Sequence, residues 1–521
     1  MLDLLLVPIA VIYLAVVLML FAYGINFFYL CWLAWHHKNQ RDETPALTDL
    51  PRVTIQLPIY NELYVAERLI NAAARLDYPA PLLEIQALDD STDETVELVR
   101  ATVERWRARG VNIAQLHREN RAGYKAGALA NGLKQARGEF IAFFDADFVP
   151  SPDFLKRTLP HFQNPRVAFV QTRWDHLNRD YSFLTQLQAL SIDAHFAVEQ
   201  FSRSHGGYWF NFNGTAGVWR RAALDDAGGW TADTLTEDLD VSYRAFLRGW
   251  DARYLRDVPV SAELPVNFSA YRRQQHRWAR GSLECALKLI PQIWESKISI
   301  AQKIQASLHL TGYAVHLLMF ALALLYPIAL VLSQRFPGLI SLFGLATIFN
   351  ATAFAPTLFF TLGQQQLGRD WKRALPSIFF ITVLGAGMMV NTLRAALGIF
   401  SHSRGAFERT PKFGIENRNE DWTRRRYQLK LDPIIYAEIA FALFNLCTAL
   451  LAIYLGNYLI AIYALLFCGG LGFTAGTTIS QGLEVYLNRH RASSPAANVS
   501  APSLVPTIAR VIIPADSLQE E

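Results

Sequence analysis

Cysteine is scarce in this 521-residue chain and never patterned: there are four, with no CxxC pair and no Cys/His spacing. Cys31, Cys447 and Cys468 lie in apolar runs and Cys285 stands alone, so neither a disulfide framework nor a zinc site is indicated. Charge is also scarce: charged residues make up 18% and apolar residues 52%, a balance shifted toward membrane proteins. A formal charge of +4, widely spread, does not point to nucleic acid as a partner. The first apolar run, Leu4 to Trp35, has no basic residue before it and no small-residue cleavage site. It is too long for a signal-peptide core and reads as a retained anchor. Since one span takes roughly 20 apolar residues, the run suits a single long or tilted helix.

Further apolar runs stand at 306–332, 338–362, 376–399, 433–455 and 458–480, after a polar stretch over 40–300. Within that stretch, short strand-like segments (Val53–Leu57, Glu84–Leu88, Phe140–Phe144) alternate with helix-like ones (Glu62–Leu76, Glu94–Arg109). The alternation predicts an α/β fold with a mostly parallel sheet and helices on both faces. Ligands of such sheets bind at the carboxyl ends of strands, and there the acidic clusters sit. Basic residues follow the first run (Lys38, Arg41) and the third (Arg369, Lys372, Arg373), fill Arg404–Arg426, and follow the last run (Arg489, Arg491). By the positive-inside rule these belong on the cytosolic side. Placing the basic 400–432 loop there requires 376–399, interrupted by Gly385, Gly387, Asn391 and Arg394, to be an interfacial or re-entrant helix. The expected organisation is an anchor over 1–36, a cytosolic domain over 37–302, a membrane region over 303–482 with about five spans in all, and a disordered Ser/Pro/Ala-rich tail over 483–521. Localisation is therefore expected to be integral to a plasma or Golgi-type membrane, multi-pass, with lipid as neighbour.

Four motifs recur in order: Leu57-Pro-Ile-Tyr-Asn-Glu62, Asp89-Asp90-Ser-Thr-Asp93, Asp145-Ala-Asp147, and Thr236-Glu237-Asp238 followed by Gln274-Gln-His-Arg277-Trp278. Together they suit sugar transfer from a nucleotide donor. Carboxylates flanking one residue at a strand end can hold Mg²⁺ or Mn²⁺ against a pyrophosphate, which makes Asp145 and Asp147 the metal candidates. Asp89 and Asp90 can accept hydrogen bonds from base or ribose, and Tyr60 and Glu62 are expected beside the substrate. A carboxylate base must take the acceptor hydroxyl's proton; the Glu237–Asp238 pair is the catalytic candidate and Asp238 the base. Thr236 is expected to cap the helix that begins there. Lys125 and Arg277 are candidates for phosphate oxygens, and Trp278 offers a flat face for a sugar ring. A lone Asp-x-Asp is common at strand ends, whereas four motifs in this order within one α/β unit are not.

These residues resemble the family 2 glycosyltransferases, and within them the cellulose-synthase-like proteins of plant glucomannan and xyloglucan-backbone type and their bacterial relatives. The stretches LDDSTDET, NRAGYKAGALANG, FFDADFVPSPDFL, NFNGTAGVWRRAALDDAGGW, TEDLDVSYRAFLRGW and QQHRWARGS carry the resemblance, densely over about 50–285. It implies a GT-A fold, a divalent metal and a cytosolic donor: GDP-mannose, GDP-glucose or UDP-glucose. Residue by residue it gives Asp90 with Asp89 to the nucleotide, and Asp145 and Asp147 to diphosphate and metal. It makes Asp238 the base and sets Gln274, Arg277 and Trp278 at the acceptor end and pyrophosphate. It also implies an acceptor-contacting loop at Phe212-Asn-Gly-Thr215; the glycosylation sequon within it would be unmodified in the cytosol.

A weaker likeness at Asn391–Lys412 implies an interfacial helix leading to a gating loop of the form F-x-V-T-x-K over the donor. Phe407, Thr410 and Lys412 match it, Arg409 replaces the valine, and Pro411 stiffens the loop. One N-terminal span stands where bacterial cellulose synthases have several, and no C-terminal regulatory domain is expected. The expected function is an inverting transferase extending a β-linked polysaccharide of glucan or mannan type. The alternative is a glycolipid synthase acting on diacylglycerol, ceramide or polyprenyl phosphate. A non-enzymatic transporter or scaffold fits poorly, because charged residues are scarce inside the spans.

Overall fold

A computed structural model describes residues 2–40, 44, 45, 49–335, 350–401 and 408–492. Its centre is an eight-stranded sheet in the order β3-β2-β1-β4-β7-β6-β8-β5. The strands are β1 Val53–Ile59, β2 Leu83–Asp89, β3 Ile113–His117, β4 Phe140–Phe143, β5 Phe148–Val149, β6 Val167–His176, β7 Gly217–Arg220 and β8 Asp251–Ala262. β1 runs parallel to β2 on one side and to β4 on the other, with Val53 opposite both Leu83 and Phe140. The carboxyl ends of these three strands therefore share one edge. The chain runs outward from β1 to β2 and β3 and then crosses back to β4 on the other side of β1, so the β1–β4 boundary is a switch point of the kind where open α/β sheets bind ligands.

The sheet is mixed, with four parallel and three antiparallel pairings. β7 runs antiparallel to β4 and β6, and β5 antiparallel to β8, while β6 and β8 are parallel. Before β7 the chain makes a helical excursion, α6 Phe183–Ala194, then a π-helical segment His195–Gln200 and α7 Phe201–His205. It re-enters through the Phe210–Ala216 loop, so β7 brings that loop back to the ligand-binding edge. Helices cover both faces. Phe140 and Ala142 of β4 join the core under α2 Ala66–Ala73 and α3 Thr95–Arg107, and Ile141 and Phe143 join the core under α4 Tyr124–Gln135. Each such fully buried Phe or Ile contributes about 1.5–3 kcal/mol by leaving water. Gly132 lets α4 approach the sheet, since a Cβ there would stand 2.5 Å from Gln56 Nε2.

The remaining catalytic-half helices are α5 Phe154–Thr158, α8 Arg221–Asp226, α9 Glu237–Leu247 and α10 Phe268–Glu295. Around them lie α1 Leu2–His36, α11 Ile300–Leu310, α12 Ala314–Arg335, α13 Ala355–Gln366, α14 Trp371–Gly387, α15 Met389–Ile399, α16 Ile434–Tyr454 and α17 Tyr458–Ala492. Among the described residues four helices are long and apolar enough to cross a membrane: Pro8–His36, Ala314–Gln334, Ile434–Tyr454 and Tyr458–Asn488. The α14–α15 pair, bent by 40°, would make a fifth if counted as one span.

Three sequence expectations shift here. The run 306–332 is broken, because α11 ends at Leu310 and α12 starts at Ala314. At the break Tyr23 of α1 donates its hydroxyl to Thr311 O at 3.0 Å. The first half of the run 338–362 lies outside the described residues, which resume at Asn350–Phe354 and α13. α17 continues past 483, so the residues expected to begin the tail are helical to Ala492, and the rest of the tail lies outside the described residues.

Candidate active site

The three strand ends are tied together by their own turns. Asn61, after β1, adopts a left-handed conformation (φ 53) that Asn tolerates better than most residues. Its amide donates to Ser91 Oγ at 2.9 Å, and its side chain accepts from Thr92 N at 2.8 Å. This locks the first motif to the second. Lys125, in the first turn of α4, follows two further left-handed residues, Gly123 (φ 72) and Tyr124 (φ 50).

Around this edge a cleft of about 170 Å³ brings together Tyr60, Glu62, Asp90, Lys125, Asp145, Asp147, Glu237, Asp238, Gln274, Arg277, Trp278, Thr410 and Lys412. Asp89 does not reach it. Its side chain is fully buried and accepts from Ser91 N at 2.9 Å and Gln115 Nε2 at 2.8 Å, pinning β2 to β3. Phe407 lies outside the described residues.

Both carboxylates of Asp145-Ala-Asp147 face lysines. Lys125 Nζ is 2.6 Å from Asp145 Oδ1 and Lys412 Nζ is 2.7 Å from Asp147 Oδ2. Burial works against the Lys125 ammonium, yet Asp145 and Glu237 hold its pKa above the ordinary lysine value. Asp145 is raised above the usual carboxylate range, by burial and then by Asp147 and Glu237, despite Lys125. The cluster thus carries negative charge that its lysines leave incompletely offset. Hard oxygens at a strand end with that surplus fit Mg²⁺ or Mn²⁺. Among the described residues the one group of three whose ligand atoms lie within 4.8 Å of one another is Asp175, His176 and Asp193 rather than the Asp145–Asp147 set. It is already an ion-pair hub: Arg369 reaches both carboxylates, and Arg179 lies 2.5 Å from Asp193.

Asp238 stands in the first turn of α9. Burial, then the neighbouring Glu237, pushes its pKa up to about 7, a value suited to a base near neutrality. Gly214 (φ 78) passes directly against it; a Cβ there would lie 2.8 Å from Asp238 Oδ2 and 3.2 Å from Lys125 Nζ. Thr236 does not cap α9 with its side chain. α10 packs so closely at Gly281 that the Thr236 hydroxyl lies against Cys285 Sγ, 3.5 Å away, and Asp238 Oδ1 instead accepts from Leu239 N at 2.8 Å.

Residues 408–415 lie across the cleft. Lys412 Nζ also donates to Glu263 O, and the Glu263 carboxylate accepts from Phe413 N and Gly414 N, each at 2.8 Å. Arg409 Nη1 lies 3.1 Å from Glu62 Oε2 and donates to Asn61 O. Burial pushes Glu62 up to about 8, against the pull of Arg409. Arg409, Thr410 and Lys412 fill space that would otherwise be open, and the cleft is smaller than the roughly 300–1,000 Å³ typical of small-molecule sites.

Sequence reasoning missed Glu263, which receives the loop, and Arg118, which grips Asp90 through two hydrogen bonds, one of 2.7 Å. It also missed Arg121, whose guanidinium sits 3.3 Å from the centre of the Tyr60 ring. Arg118 directly follows β3 and Arg121 lies inside the quoted NRAGYKAG stretch, so strand-end position was the available signal for both; Glu263 had none.

A second cavity of about 380 Å³ shares Trp174, Ile192, Asn213, Thr236, Asp238 and Trp278 with the first. It extends between α1 (Tyr23, Asn26, Phe27, Leu30), the α11–α12 break (His309, Gly312, Tyr313, His316) and α13 (Phe359, Phe360).

The family described as "Glycosyltransferase like family 2" matches residues 51–281. The chain is 47% identical over 261 residues to glucomannan 4-beta-mannosyltransferase 2 of Arabidopsis thaliana, covering 49% of each. It is 46% identical over 271 residues to glucomannan 4-beta-mannosyltransferase 1 of Oryza sativa subsp. japonica, covering 50% of this chain and 52% of that one. The match spans about half the length of these curated relatives. A solved mannosyltransferase of Pyrobaculum calidifontis, in complex with GDP-Man and Mn2+, aligns with TM-score 0.49 at 22% identity, over 75% of this chain and 98% of that one.

Proposed function

We propose that this chain, whose residues 51–281 form a glycosyltransferase domain of the family 2 type, is an inverting membrane synthase that extends a β-linked hexose polymer. One observation carries the reading: Asp238 stands at the junction of two cavities, one crowded with charges and suited to a sugar nucleotide, the other lined mainly by rings and polar groups, with Glu199 and Arg203 paired to each other, and suited to a glycan. The identity of about 47% to a glucomannan 4-beta-mannosyltransferase over the catalytic half supports mannose as the transferred sugar, and GDP-mannose is the donor proposed.

In the proposed mechanism the acceptor hydroxyl reaches Asp238 from the second cavity. Asp238 takes its proton as the oxygen bonds to the anomeric carbon. The bond to the nucleoside diphosphate breaks on the opposite face, and its electron pair leaves with the diphosphate. One such displacement converts an α-linked donor to a β-product. Lys125, Arg277 and Lys412 meet the charge that develops on the diphosphate. Asp145 and Asp147 would hold Mg²⁺ or Mn²⁺, which would supply Lewis-acid stabilisation of the same leaving group. Tyr60, Glu62 and Asp90 flank the nucleotide, with Thr410 above it. Glu237 supports Lys125 rather than taking the proton, since its Oε1 lies 3.7 Å from Nζ. Gln274 and Trp278 border the acceptor end, where the indole face suits a pyranose ring.

Residues 408–415 reach the donor cleft, so the loop, the domain and the basic segments share one side, read as cytosolic. The bent α14–α15 pair is then an interfacial element rather than a fifth span, which leaves four described spans. The deciding experiment incubates the full chain in lipid vesicles with labelled GDP-mannose, GDP-glucose or UDP-glucose plus Mg²⁺ or Mn²⁺ and sizes the product. Long, glycanase-sensitive polymer is expected. Short organic-soluble glycolipid would overturn the polymer reading, and absence of transfer from every donor would overturn the enzyme.

A further inference from the structure

The segment His195–Gln200 is π-helical, in the middle of an otherwise regular helical excursion. A π-turn closes i→i+5 and is found frequently at functional sites. Here it brings His195 and Gln200, five residues apart, onto one side, whereas 3.6 residues per turn would point them well apart. Both grip one carboxamide. Gln200 Nε2 donates to Asn213 Oδ1 at 2.7 Å, and Asn213 Nδ2 lies 3.2 Å from His195 Nε2. The other ring nitrogen, His195 Nδ1, lies 3.0 Å from Glu199 Oε2. A carboxylate there fixes the proton on Nδ1 and leaves Nε2 as acceptor for Asn213.

Counting the amide's capacity shows what is left. Asn213 has two N–H donors and two lone pairs on Oδ1. The grip uses one of each, which leaves one donor and one lone pair. Asn213 lines both cavities, in the loop that passes against Asp238 at Gly214. A donor and an acceptor side by side match a sugar hydroxyl, which both gives and receives a hydrogen bond.

The grip is anchored on two sides. Arg203 Nε lies 3.2 Å from Glu199 Oε1, and its Nη1 donates to Gln305 O at 3.1 Å; Gln305 in turn donates to Asn26 of α1 at 2.8 Å. On the catalytic side Ser242 Oγ accepts from Phe212 N at 2.9 Å and donates to Asp238 O. Polar contacts thus run from α1 to Asn213, and from the adjoining Phe212 to the helix that carries the base.

We propose that His195, oriented by Glu199 and acting with Gln200, is a positioning residue for the acceptor. It holds the Asn213 carboxamide so that the terminal pyranose of the growing glycan presents its attacking hydroxyl to Asp238. This rests on the polymer-synthase reading and adds to it the residues that register the chain end. His195 touches no reacting atom; it acts through Asn213.

The test uses the full chain in vesicles with GDP-mannose, comparing GDP released with mannose incorporated into polymer, and measuring KM for added β-1,4-mannotetraose. A mispositioned acceptor lets water compete for the donor. His195→Ala is expected to raise the ratio of GDP released to mannose incorporated, and the acceptor KM, by roughly tenfold, the equivalent of one well-placed hydrogen bond, with GDP-mannose binding unchanged. A role limited to folding would lower release and incorporation together. His195→Gln, which keeps a neutral donor and acceptor, is expected to recover most of the coupling. His195→Ala combined with Asn213→Ala is expected to lose no more than either alone. A wild-type ratio in His195→Ala, or full additivity with Asn213→Ala, overturns the proposal. Should His195→Ala fail to bind GDP-mannose, Asn213→Ala decides alone, and an unchanged ratio there overturns it. Wild-type chain that releases no GDP from any donor defeats the enzyme reading instead.

Discussion

The two cavities that meet at Asp238 are built from opposite chemistries. The smaller, about 170 Å³, is crowded with ions: Glu62, Asp145, Asp147, Glu237 and Glu263 face Lys125, Arg277, Arg409 and Lys412. The larger, about 380 Å³, is lined mainly by rings, amides and imidazoles, and its ions Glu199 and Arg203 are paired with each other. Burial pushes His309 down to about 3, so it stays uncharged and serves as a hydrogen-bond partner, 2.7 Å from the Tyr243 hydroxyl. An ionic pocket suits a diphosphate that gains charge as it leaves. A neutral, ring-lined passage suits a polyhydroxylated chain that must bind firmly enough to register and loosely enough to advance.

If the division is real, substitutions should separate by cavity. Asp238→Asn touches both and should reduce transfer by about 10³-fold while GDP-mannose binding persists; unchanged turnover would remove Asp238 as the base. Chelation of divalent ions should cost on the order of 10²-fold, with Mn²⁺ or Mg²⁺ restoring the rate, measured as GDP release. Next, Lys412→Ala should raise the donor KM about tenfold, near 1.4 kcal/mol, and leave the acceptor KM alone. An equal shift in both would mean the cavities do not act separately.

The pH profile comes next. Burial and Glu237 raise Asp238 to about 7, and only its unprotonated form accepts a proton. kcat/KM should therefore begin to fall near pH 7 and drop about tenfold per unit well below it. A profile flat to pH 5 contradicts the assignment. The smallest catalytic effect is expected from Asp89→Asn, which lies outside both cavities. It should lower stability by about 1–3 kcal/mol through a lost buried acceptor, read as a thermal midpoint shift, and leave donor KM unaltered.

Asp89 and Asp90 also show where sequence reading stops. Two adjacent carboxylates at a strand end are alike on paper, but strand alternation turns one toward Gln115 and β3 and the other toward the cleft. The ordered motifs located the ligand-binding edge because strand-end acidic clusters are local signals. The antiparallel β7 was not legible, since its direction depends on a long excursion rather than on any residue within it. Thr236 fitted a helix cap by type, yet close packing at Gly281 turned its hydroxyl away. The grip on Asn213 was equally hidden: His195 and Gln200 are spaced wrongly for an α-helical face and meet only because the helix is π-wound. The break at Thr311–Tyr313 left an apolar run that reads as continuous.

The pairing of Asp145 with Lys125 and of Asp147 with Lys412 has a thermodynamic consequence for the order of binding. Each carboxylate already possesses a monovalent counterion supplied by the chain. Loading the site is accordingly an ion exchange, in which a divalent cation takes the carboxylates and two ammonium groups need new anions. A bare metal ion would strand both lysines, whereas a metal–nucleotide complex brings phosphates to receive them. Mn²⁺ alone should therefore bind far more weakly than Mn²⁺ offered together with GDP, and between turnovers each of these two carboxylates keeps a lysine as its partner.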